Sequence, residues 1–285
     1  MPFFLKRGGN NNPLEVQRWQ YFLLKQSIPQ VGKIDGQFGL KSEEATKFFQ
    51  VQRAITVTGE FDAATRNVAR TLGYTVVPDN HYDDKKTTAF PPKPPGLSSP
   101  DNASRNAGLT CFKFKQLPLA NRGDKDEIVI LGSCDGTIPD WRHTNIVSIA
   151  VPQLRFASGF NGTVTCHRVA APRVTALFER WEALDLLHLI RDFDGMFNPR
   201  YIRDKSPSTA GHGVKQSRNV TTLSNHAFAS AFDINAGDNP FNTRPALCPM
   251  RGCTRELVAA ANELGFFWGG HFSSPDGMHF EFADF

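Results

Sequence analysis

The stretch Phe90-Pro91-Pro92-Lys93-Pro94-Pro95-Gly96 constrains this chain more than any other. Proline has no backbone N–H to give to a helix or a sheet ladder, and it pushes the residue before it into extended geometry. Such a run favours a semi-rigid, extended spacer. The mixed-sign run Tyr82-Asp83-Asp84-Lys85-Lys86 precedes it, and Ser98, Ser99 and Pro100 prolong it. Residues 76–107 therefore read as a linker, and the 285 residues divide into two domains, residues 1–75 and residues 108–285. A spacer of this kind lets one domain search near the point where the other is attached.

The first domain reads as all-α. Asn12 followed by Pro13 is an N-cap and first-turn pair, and Val16, Trp19, Phe22 and Leu23 recur at helical spacing over residues 13–26. A glycine turn, Ile34-Asp35-Gly36-Gln37-Phe38-Gly39, leads to a second helix over residues 42–52 that buries Ala45, Phe48 and Phe49. The scheme then repeats. Val57-Thr58-Gly59-Glu60-Phe61-Asp62 echoes the first turn, and a third helix follows with Ala64, Val68 and Leu72 inward and Gly73 as its stop. Gln17, the Asp35-Gly36-x-Phe38-Gly39 turn, Phe49-Gln50 and Gly59-x-Phe61-Asp62-x-x-Thr65 resemble the peptidoglycan-binding domain found on cell-wall hydrolases. That resemblance implies attachment to bacterial peptidoglycan and says nothing of chemistry.

The second domain reads as α+β, a small and mostly antiparallel sheet with helices against it. Residues 128–131, 145–149 and 164–166 are strand candidates. Residues 172–190 form its longest helix, with Val174, Leu177, Trp181, Leu184 and His188 inward, and residues 194–203 read as a turn and strand. Residues 205–222 are a polar loop containing His212. Thr254 caps a helix ending at Gly265, with Leu257, Val258 and Ala261 inward.

Two C-terminal segments carry the chemistry: residues 224–233, Ser-Asn-His-Ala-Phe-Ala-Ser-Ala-Phe-Asp, and residues 276–282, Asp-Gly-Met-His-Phe-Glu-Phe. Read as a strand, the second puts His279 and Glu281 on one face and Phe280 and Phe282 on the other. The same alternation puts Ala229, Ala231 and Asp233 on one side of the first, with His226 just upstream. Two imidazoles and a carboxylate (His226, Asp233, His279) are a plausible set for catalytic zinc, which commonly has three protein ligands and one position for water or substrate. The metal lowers the pKa of that water to roughly 7. Asp276 is the leading candidate for a base, and Glu281 is suited to orient His279. The spacing is neither a zinc-finger pattern nor a His-Glu-x-x-His helix, and a lone histidine is more often a packed core residue than a ligand.

Ser224-x-His226, Asp233, Trp268-Gly269-Gly270 and Asp276-x-x-His279 together resemble the zinc peptidases that cut peptidoglycan stem peptides. That family includes D-alanyl-D-alanine carboxypeptidases and dipeptidases and the L-alanyl-D-glutamate endopeptidases of phage endolysins. The resemblance implies that His226, Asp233 and His279 bind zinc and that Asp276 is the catalytic base. The family usually has glycine where this chain has Ala229. It also places an arginine near the substrate carbonyl. Arg200 is preferred for that role and Arg203 is kept as a substrate or structural contact. Ser224 is expected to contact substrate or support the ligands, Trp268 to form pocket wall or core, and His271 stands close in sequence. Cleavage of the L-Ala–D-Glu bond, as in endolysins, is favoured. The alternatives are D-Ala–D-Ala carboxypeptidase activity, or a wall-binding protein with an inactive metal site.

The formal charge of +4 suits an anionic polymer such as the cell wall and is too small to argue for nucleic acid. The N-terminus lacks signal-peptide features and no apolar run reaches transmembrane length. The expectation is a monomer made in the cytoplasm and delivered to the wall by release or non-classical export. Five cysteines cannot all pair within the chain, and without a signal the thiols are expected to stay reduced.

Overall fold

The computed structural model describes residues 4–74, 91–118, 126–157, 160–202, 222–248 and 250–285. Arg203, His212 and residues 76–90 of the linker lie outside the described residues. Helix α1 (Pro13–Lys25) starts where the Asn12 side chain accepts from Leu14 N and Glu15 N, with Pro13 in the first turn. Helices α2 (Leu40–Gln52) and α3 (Ala63–Thr71) complete the first unit around Trp19, Phe22, Phe49, Phe61 and Tyr74.

The internal echo has a physical basis in two buried glutamines. Gln20 Oε1 accepts from Gly36 N at 3.0 Å, while its Nε2 donates to Asp35 Oδ1 at 2.8 Å. Gln50 repeats the clamp: Oε1 accepts from Gly59 N at 2.8 Å, and Nε2 donates to Thr65 Oγ1 at 2.8 Å and Glu60 O at 3.0 Å. Both clamped glycines have positive φ, 74° and 73°, which a side chain would strain. The same clamp corrects the expected face of α3. Thr65 is drawn inward by Gln50 and the Asp62 cap, so Thr65 and Ala69 are buried while Ala64 and Leu72 are exposed. Ala45 and Phe49 face inward on α2 as expected, but Phe48 is exposed.

In the second unit α4 (Asn102–Gly108) precedes an antiparallel ribbon of β1 (Phe112–Gln116) and β2 (Ile128–Ser133). A Cys111–Cys134 disulfide closes the ribbon's end, where fully reduced thiols were expected; the strand register brings the two chains side by side there. Then come α5 (Trp141–Asn145), the antiparallel pair β3 (Ile146–Ala150) and β4 (Thr163–His167), and α6 (Ala171–Ala183). The last sheet has the order β5–β7–β6, made of β5 (Ala231–Asp233), β6 (Phe266–Trp268) and β7 (His279–Phe282), with α7 (Val258–Glu263) before β6. Both pairings in it are antiparallel.

Three expectations are corrected here. Helix α6 stops about two turns early, because Asp185 takes a positive φ of 61° and Leu186 N bonds back to Trp181 O. Leu184 is therefore exposed, and His188 is buried in a separate turn, Leu187–Leu189. Residues 194–202 form no strand: Tyr201 makes an isolated bridge to Leu223, and Phe193, just before the segment, bridges Ile234. Thr254 does not cap a helix by its side chain, which donates instead to Gly277 O at 2.7 Å.

The two units share a core. Leu14, Tyr21 and Ile34 of the first pack in the same cluster as Leu177, Trp181 and Leu187 of the second. Arg18 Nε donates to His188 Nε2 at 3.3 Å, and His188 Nδ1 donates to Asp185 O at 2.7 Å. Burial and the neighbouring Arg18 charge hold the His188 pKa down to about 3, so it accepts Arg18 as a neutral ring. The end of the expected spacer also lies on the second unit. Pro91 is buried with its carbonyl 2.8 Å from His271 Nε2, and Arg105 on α4 is buried as well.

Candidate metal centre

Strand β7 lies in the middle of its sheet, so Phe280 and Glu281 have partners on both sides, and the period of two sends alternate side chains to opposite faces. Phe280 pairs with Phe232 and Trp268, and these rings face the hydrophobic core; Phe232 and Phe280 stack 5.5 Å apart. On the opposite face His279 pairs with Asp233, and Glu281 pairs with Ala231, whose small side chain leaves room beside the carboxylate. His226 arrives from the short turn Asn225–Phe228, which begins where Ser224 Oγ accepts from His226 N at 3.3 Å. The turn ends at Ala229 in the left-handed region, with φ 53°. Residue 229 is thus a turn cap and no strand residue. A left-handed cap is where glycine is most at ease.

These elements bring His226, Asp233 and His279 together, with one ligand atom from each lying within 4.8 Å of the others. His279 Nδ1 is 3.0 Å from Asp233 Oδ1, and His226 Nε2 is 3.4 Å from Asp233 Oδ2. The latter pair is close enough for an ion pair, yet its geometry makes no hydrogen bond, so His226 Nε2 is a buried polar atom with none among the described residues. Tetrahedral zinc with bonds of about 2.0–2.1 Å separates its ligand atoms by roughly 3.3 Å. The donor set fits a metal ion in type, number and spacing.

Electrostatics single out the same cluster. Burial would raise the Asp233 pKa, but His226 and His279 hold it well below the usual carboxylate range. Burial lowers His226, partly offset by Asp233. Asp276 is pushed up to about 6, chiefly by burial and also by the Asp233 charge, against the opposing pull of His279 and Arg200. Its Oδ1 is buried with no hydrogen-bond partner among the described residues. Asp276 N and Asp276 O are bonded to Gly269 O and His279 N, a turn that ties this carboxyl to the strand carrying His279.

Glu281 Oε2 lies 3.0 Å from His279 Nε2, on the side of the ring away from Asp233. Trp268 is fully buried core, and its Nε1 donates to Gly277 O at 3.0 Å, steadying the turn after Asp276. Arg200 sits beside Leu223 and Ser224, where Ser224 N bonds to Arg200 O, and its charge lowers the pKa of both His226 and Asp276. His271 bonds Pro91 and is no part of the cluster. Two residues of the site carry no sequence signal of their own: Asn225 and Arg105, which bond to each other and, through Asn225, to Glu281.

Residues 218–282 match a family described as D-alanyl-D-alanine carboxypeptidase. Residues 14–68 match a peptidoglycan binding domain. The two matched regions stand in the order of a peptidoglycan-binding domain followed by a peptidase region. The first match spans His226, Asp233, Asp276 and His279; the second spans the echoed turns and both glutamine clamps. No curated protein matches the chain. Among the described residues no helix is long and apolar enough to cross a membrane.

Proposed function

We propose that the protein is a zinc-dependent hydrolase of peptidoglycan stem peptides. The observation that carries this is the convergence of His226, Asp233 and His279 beside the buried carboxyl of Asp276, in a chain that also bears a wall-binding domain. A bound zinc supplies Lewis acidity and a water acidified to near-neutral pH. His226, Asp233 and His279 hold that ion. Asp276, poised by burial near pH 6, accepts the proton of the attacking water and returns it to the leaving amine. Arg200 stabilises negative charge growing on the scissile carbonyl oxygen. The reading is of a monomer.

The favoured bond is L-Ala–D-Glu, cut within the stem as in bacteriolytic phage endolysins. It rests on the resemblance in architecture, a wall-binding domain joined to a peptidase. The description of the matched family favours a second reading, removal of the terminal D-Ala. Delivery to the wall is part of the proposal, and the Cys111–Cys134 disulfide suits an oxidising compartment. Mass spectrometry of digested, purified peptidoglycan distinguishes the bonds: new L-Ala and D-Glu termini support the first reading, and loss of D-Ala alone supports the second. Asp276→Ala is expected to lower turnover by about a hundred- to ten-thousandfold with zinc still bound. Full activity in that variant overturns the base assignment.

A further inference from the structure

Arg105 belongs to α4, in the stretch that reads as linker, yet only 5% of it is exposed. Its Nη1 donates to Asn225 Oδ1 at 2.6 Å and to Leu223 O at 3.1 Å, its Nη2 donates to Asn102 Oδ1 at 2.6 Å, and its guanidinium lies 4.5 Å from the centre of the Phe228 ring. Asn225 Nδ2 in turn donates to Glu281 Oε2 at 2.5 Å, and that same oxygen lies 3.0 Å from His279 Nε2.

The direction of every bond in this row is forced. Arginine has only donors, so the asparagine atom facing it must be its oxygen. The amide nitrogen then faces Glu281, and an ionised carboxylate only accepts. His279 must therefore present Nε2–H to Glu281, which leaves its other ring nitrogen, Nδ1, beside Asp233, as the one that gives up its proton and offers a lone pair to a metal. A neutral imidazole has one donor and one acceptor nitrogen, and the hydrogen bond at one decides the role of the other.

We infer that Arg105, acting through Asn225 and Glu281, is a positioning residue that fixes the tautomer and orientation of His279 for metal binding. The α4 helix is thereby part of the peptidase and no spacer. Arg105 also places a cation three hydrogen bonds from the metal ligand and two from Glu281, whose buried charge it offsets. The inference rests on the metal reading proposed above and deepens it.

The test is zinc affinity of the full chain by competition with a chromophoric chelator, together with the visible spectrum of the cobalt(II)-loaded protein. Arg105→Met keeps an apolar stem over Phe228 and removes the donors; Asn225→Asp keeps the size and removes the donor toward Glu281. Both are expected to weaken zinc by about ten- to a hundredfold and to shift the cobalt bands. Arg105→Lys, which restores one charged donor, is expected to recover part of the loss. Thermal unfolding of the metal-free variants controls for folding, and Asn225→Asp carries the test if Arg105→Met fails to fold. A wild-type chain that binds no zinc overturns both readings. Wild-type zinc binding with variants inside twofold of it and unmoved cobalt bands overturns this inference alone.

Discussion

His279 sits between two carboxylates, and that position sets how the metal-free site titrates. Burial alone would lower its pKa, but bonds to Asp233 and Glu281 overcome this and hold it well above the ordinary histidine value. At pH 7 the free protein therefore keeps a proton on His279, while buried His226 is neutral. A metal must displace that proton, so binding tightens as pH rises, by roughly tenfold per unit until the raised pKa is passed. Calorimetry in two buffers of different ionisation enthalpy is expected to read about one proton released per zinc bound at pH 7. No release would contradict the bonding drawn around His279. At this scale the meeting of His226, Asp233 and His279 was legible because the two motifs that carry the family resemblance single them out without tertiary information. Arg105 was not, since its partner Asn225 lies 120 residues away and nothing local marks the pair. Ala229 was noticed as a departure, but its turn was read as strand. Its left-handed backbone costs an alanine about 1 kcal/mol, and its buried methyl returns about 0.8 kcal/mol, so the chain tolerates it.

Elements whose pattern is local came through, and those decided by a distant contact did not. Strand β7 alternates His, Phe, Glu, Phe, and each residue faces as the alternation requires. Strand β1, Phe112–Gln116, alternates too, but it is short, has four of its five residues exposed, and offers little apolar signal. The turn at Asp185 that cuts α6 short comes without glycine or proline to announce it. Helix α3 shows how a polar contact overrides periodicity, because Gln50 needs the Thr65 hydroxyl inside. Gln50→Ala would leave Gly59 N, Thr58 N and the Thr65 hydroxyl without their buried acceptor or donor. The expected cost is about 2 kcal/mol or more in a denaturant titration. A change below about 0.5 kcal/mol would mean that the clamp contributes little.

At the scale of the whole molecule, the chain has a helical unit and an α+β unit, with the proline-rich stretch between them in sequence. That stretch gives no hint that the two would pack together. That contact is tertiary: Ile34, in the first glycine turn, is buried in the core that also holds Leu177 and Trp181. Ile34→Ala is expected to cost about 2–5 kcal/mol and to move the unfolding of the entire chain as one calorimetric transition. Two transitions, with only the first displaced, would contradict a shared core. The consequence for function is that the wall-binding domain holds the peptidase in a set orientation.

The account stands on one ion held by three residues and used by a fourth. Metal analysis of the purified chain, paired with hydrolysis of peptidoglycan before and after chelation, tests it most directly. The account predicts about one zinc per chain, loss of stem-peptide cleavage on chelation and its return on adding zinc, with His226→Ala, Asp233→Ala and His279→Ala each binding far less metal. Undiminished hydrolysis by a metal-free chain, or full zinc content in those three variants, would contradict it.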